Sequence, residues 1–186
     1  MCNPQCLDFG RKWLTEDVVK GENILEVGSR NINGTLREHC KDLGCNAYVG
    51  IDIVQEAGVD IVCDVCNTEL LESLTVNARV VVCTEVLEHV EDWRLAVSNM
   101  KTVLNEGGYI LITTRSKGFG YHSYPHDYWR YEVEDMKKIF SDFEIISIEK
   151  DVEKEPGVFV FARKPIGFKH NDLSQIELYK VKETEQ

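Results

Sequence analysis

Residues able to do chemistry fall in this sequence at a few defined places. Glu26, Asp52 and Asp64 stand at the ends of short apolar runs, in "ILEVG", "YVGID" and "VCDV". Glu85 follows a fourth such run, in "VVVCTE". The segment "GYHSYPHDYWRY", Gly120 to Tyr131, gathers His122, His126, Asp127, Arg130 and five aromatic residues. Carboxylates only accept hydrogen bonds when ionised, so a row of them suits a ligand that presents hydroxyl and amino groups. Histidine changes charge near neutral pH and suits proton transfer. The strand-end acids therefore predict a held ligand with hydroxyl and amino groups.

The elements around these residues follow from hydrophobic patterning. "NILEVG", "AYVGIDIV", "VDIVCDV", "ARVVVCT" and "YILITT" read as five strands. "NGTLREHCKDLG", "TELLESL" and "EDWRLAVSNMKTVLNEGG" read as helices between them, with Leu95, Met100, Val103 and Leu104 as core positions of the third. A helical face also runs from Leu7 to Val19, and "EVEDMKKIFSDF" is a later helix. Strands alternating with helices imply a parallel sheet covered on both faces. "EIISIEKD" and "GVFVFARK" are separated only by a short turn with Pro156 and Gly157, which leaves no room for a crossover helix, so these two strands pair antiparallel. Residues 1–164 form one domain with an N-terminal helix, and 165–186 read as a polar, partly disordered tail.

In such a sheet, ligands bind beyond the carboxyl ends of the strands. The turn "EVGSRNING" lies there. Gly28 lets the backbone approach a ligand closely, and Gly34 starts the next helix. Asp52 is 26 residues past Glu26, near the spacing of an acid that takes ribose hydroxyls. Asp64 is placed to accept from an adenine amino group. Taken singly, a strand-end acid is an ordinary turn residue; four in register are a signal.

Composition narrows the partners. The 186 residues carry a formal net charge of -11, which disfavours a duplex nucleic acid partner. No apolar run reaches the roughly 18–20 residues of a membrane span. The start, "MCNPQCLDFGRKW", lacks a signal-peptide pattern, and a cytoplasmic protein is expected. Seven cysteines in such a chain argue against a disulfide framework. Cys63 and Cys66 have C-x-x-C spacing, but no second pair of ligands follows at zinc spacing, so no metal is expected.

The sequence resembles the class I S-adenosylmethionine-dependent methyltransferases over about residues 21–164. "ILEVGSRNING" is similar to that family's first motif, "YVGIDI" to its second-strand acid, "VVVCTEVLEHVEDW" to its fourth-strand segment, and "LNEGGYILITT" to its fifth. The resemblance implies a doubly wound α/β fold with a mostly parallel seven-stranded sheet, order 3-2-1-4-5-7-6. It implies S-adenosylmethionine as cofactor, held by Glu26, Gly28, Arg30, Asp52, Asp64 and Glu85. Arg30 stands where the family has its middle glycine, so the loop is differently shaped, and Arg30 is expected to face the methionine carboxylate. The histidine of "VLEHV", His89, commonly lies near the cofactor without transferring a proton, and the Asp and Asn cluster of the metal-dependent catechol enzymes is not traceable. The amino-methylating and cytosine-methylating motifs of base methyltransferases are absent after the fourth strand.

The expected function is methyl transfer to an oxygen or nitrogen of a small-molecule acceptor. The segment Gly118–Tyr131 is expected to form a lid, with Tyr121, Tyr128, Trp129 and Arg130 on the acceptor and His126, or else His122, as the base. The bland reading of that segment packs Tyr128 and Trp129 on the core and lets Asp127 cap the next helix. The alternative for the whole chain is a non-catalytic subunit or regulator that keeps the cofactor-binding fold.

Overall fold

The computed structural model describes residues 4–122, 125–151 and 155–182. Cys2 and Tyr124, both noted in the sequence, lie outside the described residues. The chain opens with helices α1 (Pro4–Trp13) and α2 (Glu16–Val19), then strand β1 (Asn23–Val27), α3 (Arg37–Asp42), β2 (Ala47–Asp52) and β3 (Ile61–Val62). There follow α4 (Thr68–Ser73), β4 (Ala78–Thr84), a single 3-10 turn over Leu87–His89, α5 (Trp93–Val103) and β5 (Leu104–Arg115). The last elements are β6 (Trp129–Arg130), α6 (Val133–Ile139), β7 (Glu144–Asp151), β8 (Gly157–Arg163) and β9 (Tyr179–Lys180).

Seven strands form one sheet in the order β3-β2-β1-β4-β5-β8-β7. β1 to β5 run parallel, and β8 is antiparallel to both β5 and β7. This is the expected topology. The numbering differs because β6 and β9, too short to read from the sequence, pair with each other. β4 lies at the centre, and Val80 to Cys83 are fully buried, as a strand covered on both faces requires. Helices α1 to α3 cover one face through Phe9, Leu14, Val19 and Leu36. Helices α4 to α6 cover the other through Leu71, Trp93, Met100 and Met136.

Two expectations change. Leu95 is exposed, and the buried stripe of α5 is Trp93, Ala96, Val97 and Met100. Asp92 caps the helix by accepting from Leu95 N, which starts the turn so that Leu95 falls off the i, i+3, i+4, i+7 face. The segment after Pro165 is polar, yet 165–182 lies against the domain. Leu173 and Ile176 are buried, and the Arg94 guanidinium donates to the carbonyls of both. Two apolar anchors and their hydrogen bonds order a stretch that composition alone reads as tail.

Candidate functional site

The carboxyl ends of β1 to β4 open onto a cavity of about 430 Å³. That is the size of a small-molecule site, at the point where the strand order reverses between β1 and β4. Gly28 leaves β1 at φ +75°, and a Cβ there would lie 2.1 Å from a methyl of Val86. Glycine is therefore required by the turn and by the neighbouring β4 loop, more than by ligand approach. The amides of Gly28 and Ser29 both donate to Ile51 O, tying the loop to β2.

Gly28, Arg30, Asp52, Asp64 and Glu85 all line the cavity. The Asp52 carboxylate accepts from Arg30 N at 3.4 Å and Val54 N at 3.2 Å, which aims it at the mouth of the β2 end. Asp64 accepts from Cys66 N at 2.8 Å. The Arg30 guanidinium reaches Glu56 at 3.4 Å across the loop. Glu85 takes a left-handed backbone conformation, φ +57°, a strained state for a residue with a Cβ that recurs at functional sites. Its carboxylate is ion-paired with Arg115 and accepts from Cys6 Sγ at 3.1 Å. Burial, then the neighbouring Glu88, raises the Glu85 carboxyl above its ordinary range.

Glu26 is not among the cavity residues. Residues of a strand alternate in direction, and Glu26 points with Ile24 toward the α1–α3 face, beside Tyr48. Burial pushes its carboxyl up to about 7, against smaller opposing effects of Tyr48 and Arg37. The folded state thus binds a proton between about pH 4.5 and 7 that the unfolded chain releases, so Glu26 costs stability as pH rises through that window. Glu26→Gln is expected to gain about 3 kcal/mol relative to the parent on going from pH 4.5 to 8. Urea unfolding of both proteins at the two pH values measures this, and parallel pH profiles would refute it.

The lid divides. His122 lines the cavity beside Pro125, whereas His126 is exposed and its ring tilts against Tyr128. Tyr121, Tyr128, Trp129 and Arg130 lie outside the lining. Trp129 donates its indole N–H to Val90 O at 3.0 Å and packs on the core. Arg130 is buried and its guanidinium bonds to both Asp127 oxygens, at 2.5 and 2.7 Å, and to the carbonyls of Phe119, Gly120 and Trp129. It ties the Phe119–Gly120 stretch to Asp127 within the segment expected as a lid. Asp127 does not cap α6, whose capping box is Glu132 with Asp135. Burial alone would raise the Asp127 carboxyl, but Arg130 and His122 hold it well below the usual range.

His89, which the sequence reading set aside, gains weight, and Glu88 beside it gains weight too. The 3-10 turn after Glu85 buries Glu88 completely and points His89 into the cavity. The rings of His89 and His122 lie 4.7 Å apart between centroids. The signal in the sequence was "EVLEH", but its partner is 33 residues away in His122, brought close by the β4–β5 pairing and by hydrogen bonds from the His122 segment to Glu88 O and His89. Burial, then Asp64, raises the thiols of Cys63 and Cys66, Cys66 to about 11.

A family model described as a methyltransferase domain matches residues 5–153. The chain belongs to this methyltransferase family. Its fold is shared with magnesium protoporphyrin IX methyltransferase from Synechocystis, solved with bound S-adenosylhomocysteine, at 17% identity and a TM-score of 0.64, covering 86% of this chain and 82% of that one. It is shared also with the N-methyltransferase NodS of Bradyrhizobium japonicum in complex with S-adenosylhomocysteine, at 17% identity and 0.65, covering 88% and 89%. A third similar structure is the 1,6-didemethyltoxoflavin-N1-methyltransferase of Burkholderia thailandensis, at 12% identity and 0.67, covering 86% and 78%. No curated protein sequence matches the chain significantly. Among the described residues, no helix is long and apolar enough to cross a membrane.

Proposed function

We propose that this methyltransferase takes its methyl group from S-adenosylmethionine and transfers it to an oxygen or nitrogen of a small-molecule acceptor in the cytoplasm. The observation that carries the reading is the set of hydrogen-bond acceptors in the cavity. Asp52 and Asp64 present carboxylates at the ends of β2 and β3, and Ile53, Val54, Val65 and Val90 line an apolar slot between and beside them. Such walls fit a nucleoside with hydroxyl and amino donors, a flat base and no phosphate. S-adenosylmethionine supplies a methyl group on a positively charged sulfur, already activated for displacement.

The residues of this chain then bind and orient. Asp52 accepts from the ribose hydroxyls and Asp64 from the adenine amino group. The Gly28–Arg30 backbone, fixed to Ile51 and Asp52, carries the amino-acid end. The acceptor enters under the lid beside His122. There His122, His89 and Glu88 form a basic corner that promotes loss of the acceptor proton. His122 takes the place expected of His126, because it alone of the two lines the cavity.

Asp52→Ala removes two acceptor oxygens and is expected to weaken cofactor binding by about 1.5–3 kcal/mol. Calorimetric titration with S-adenosylmethionine reads this, and unchanged affinity would count against the placement. The reaction itself is tested by incubating the protein with methyl-labelled cofactor and metabolite extracts and identifying labelled products by mass. Cofactor binding without any labelled product would favour the non-catalytic alternative.

A further inference from the structure

Glu88, His89 and His122 are held so that their electron pairs converge. Glu88 Oε2 accepts from Thr114 Oγ1 at 2.8 Å, while its buried Oε1 has no hydrogen-bond partner among the described residues. Nε2 of His89 and Nε2 of His122 each lie 3.9 Å from that same Oε1. The opposite nitrogen of each ring is engaged. His89 Nδ1 lies 2.5 Å from the His126 carbonyl oxygen, and His122 Nδ1 lies 3.0 Å from Asp127 Oδ2. A carbonyl and an ionised carboxylate only accept, so Nδ1 carries the proton in both neutral rings. Both Nε2 atoms are then left with lone pairs aimed at a carboxylate oxygen. Three electron-rich atoms within 4.8 Å of one another, one on a fully buried side chain, repel unless a positive charge lies between them.

We propose that Glu88, His89 and His122 bind one divalent transition-metal cation of the Zn²⁺ or Mn²⁺ class, through Glu88 Oε1 and the two Nε2 atoms. Two imidazoles and one carboxylate suit these ions, whereas Mg²⁺ favours oxygen ligands. Metal-bound histidines commonly donate their other N–H to a carbonyl or carboxylate, and here His126 O and Asp127 do that service for both rings. Donor atoms about 2.1 Å from an ion sit roughly 3–3.5 Å apart, so small side-chain rotations close the site. Glu85 is not a ligand, because Arg115 and Cys6 hold its carboxylate.

Both histidines line the cavity, so the open positions of the ion face the acceptor. This use of the site rests on the methyltransferase reading above. An acceptor hydroxyl bound to the ion is acidified as metal-bound water is, and releases its proton to solvent at the cavity mouth. The corner then removes the proton by Lewis-acid rather than Brønsted chemistry.

The test uses protein stripped with chelator and titrated with Co²⁺, whose visible absorption reports its ligands. One Co²⁺ per chain is expected, displaced by Zn²⁺ and without the near-ultraviolet band of thiolate ligation. Glu88→Gln and His122→Ala should each weaken Co²⁺ binding by more than about 100-fold. His126→Ala keeps the backbone carbonyl that orients His89 and should leave binding unchanged. If Glu88→Gln fails to fold by circular dichroism, the half-buried His122→Ala decides. Absent stoichiometric binding, a thiolate band, or binding unchanged by His122→Ala would overturn the site. S-adenosylhomocysteine is titrated into the same stripped protein. Nucleoside binding without Co²⁺ binding refutes only the metal site, and Co²⁺ binding without nucleoside binding refutes only the cofactor reading.

Discussion

Replacing His122 by alanine is expected to lower turnover about 10²–10⁴-fold, the usual weight of a group that assists proton removal, with cofactor affinity near that of the parent. His126→Ala is expected to turn over near the parent rate. The contrast comes from geometry. Both histidines sit in one short segment, His122 seven residues and His126 three residues before Trp129, and both have the right chemistry. His122 lines the cavity, its Nδ1 is fixed by Asp127, and its Nε2 faces Glu88. His126 has its ring at the surface, and only its backbone carbonyl reaches the site, through His89 Nδ1. The measurement is single-turnover methyl transfer to the acceptor found in the labelled screen, paired with calorimetric cofactor affinity for each variant. A fall in both rate and cofactor affinity for His122→Ala would report damage to the fold. A parent-like rate for that variant would remove His122 from the chemistry.

The fold was largely legible because its determinants are local. The β-branched run "RVVVC" sits in a strand buried on both faces, and the short turn between β7 and β8 leaves no choice but antiparallel pairing. Cavity-lining residues were legible where they end or follow a strand, as Asp52 and Asp64 do. The rest depended on direction and competition. Glu26 is one residue from the cavity-facing Val27, and the period of two turns it to the opposite face. Arg130 has the right chemistry for an anionic acceptor, but Asp127, three residues earlier, claims it. Glu88 and His122 meet only after the lid folds back over β4, a contact with no local signature.

Asp127→Ala is expected to destabilise the protein by about 3–5 kcal/mol, the cost of leaving a buried partner charge unpaired. The Asp127–Arg130 pair is bidentate, and both side chains are 2% exposed or less. Removing the carboxylate leaves the Arg130 guanidinium in place among the carbonyls of Phe119, Gly120 and Trp129, with its countercharge gone. It also strips His122 of the acceptor on Nδ1, so the ring is free to turn and Nε2 no longer faces Glu88. Turnover should therefore fall with stability, and for a separate reason. Asp127→Asn keeps an acceptor oxygen without the charge and should lie between. Arg130→Met removes the stranded cation, so the double variant Asp127→Ala/Arg130→Met should be more stable than Asp127→Ala alone, while its turnover stays low because His122 is still unheld. Urea unfolding midpoints for the four proteins close a double-mutant cycle. A loss under about 1 kcal/mol for Asp127→Ala would place the pair with solvent-screened surface ion pairs and remove the argument that it anchors the lid. Recovery of turnover in the double variant would show instead that Asp127 acts on the rate only through the fold.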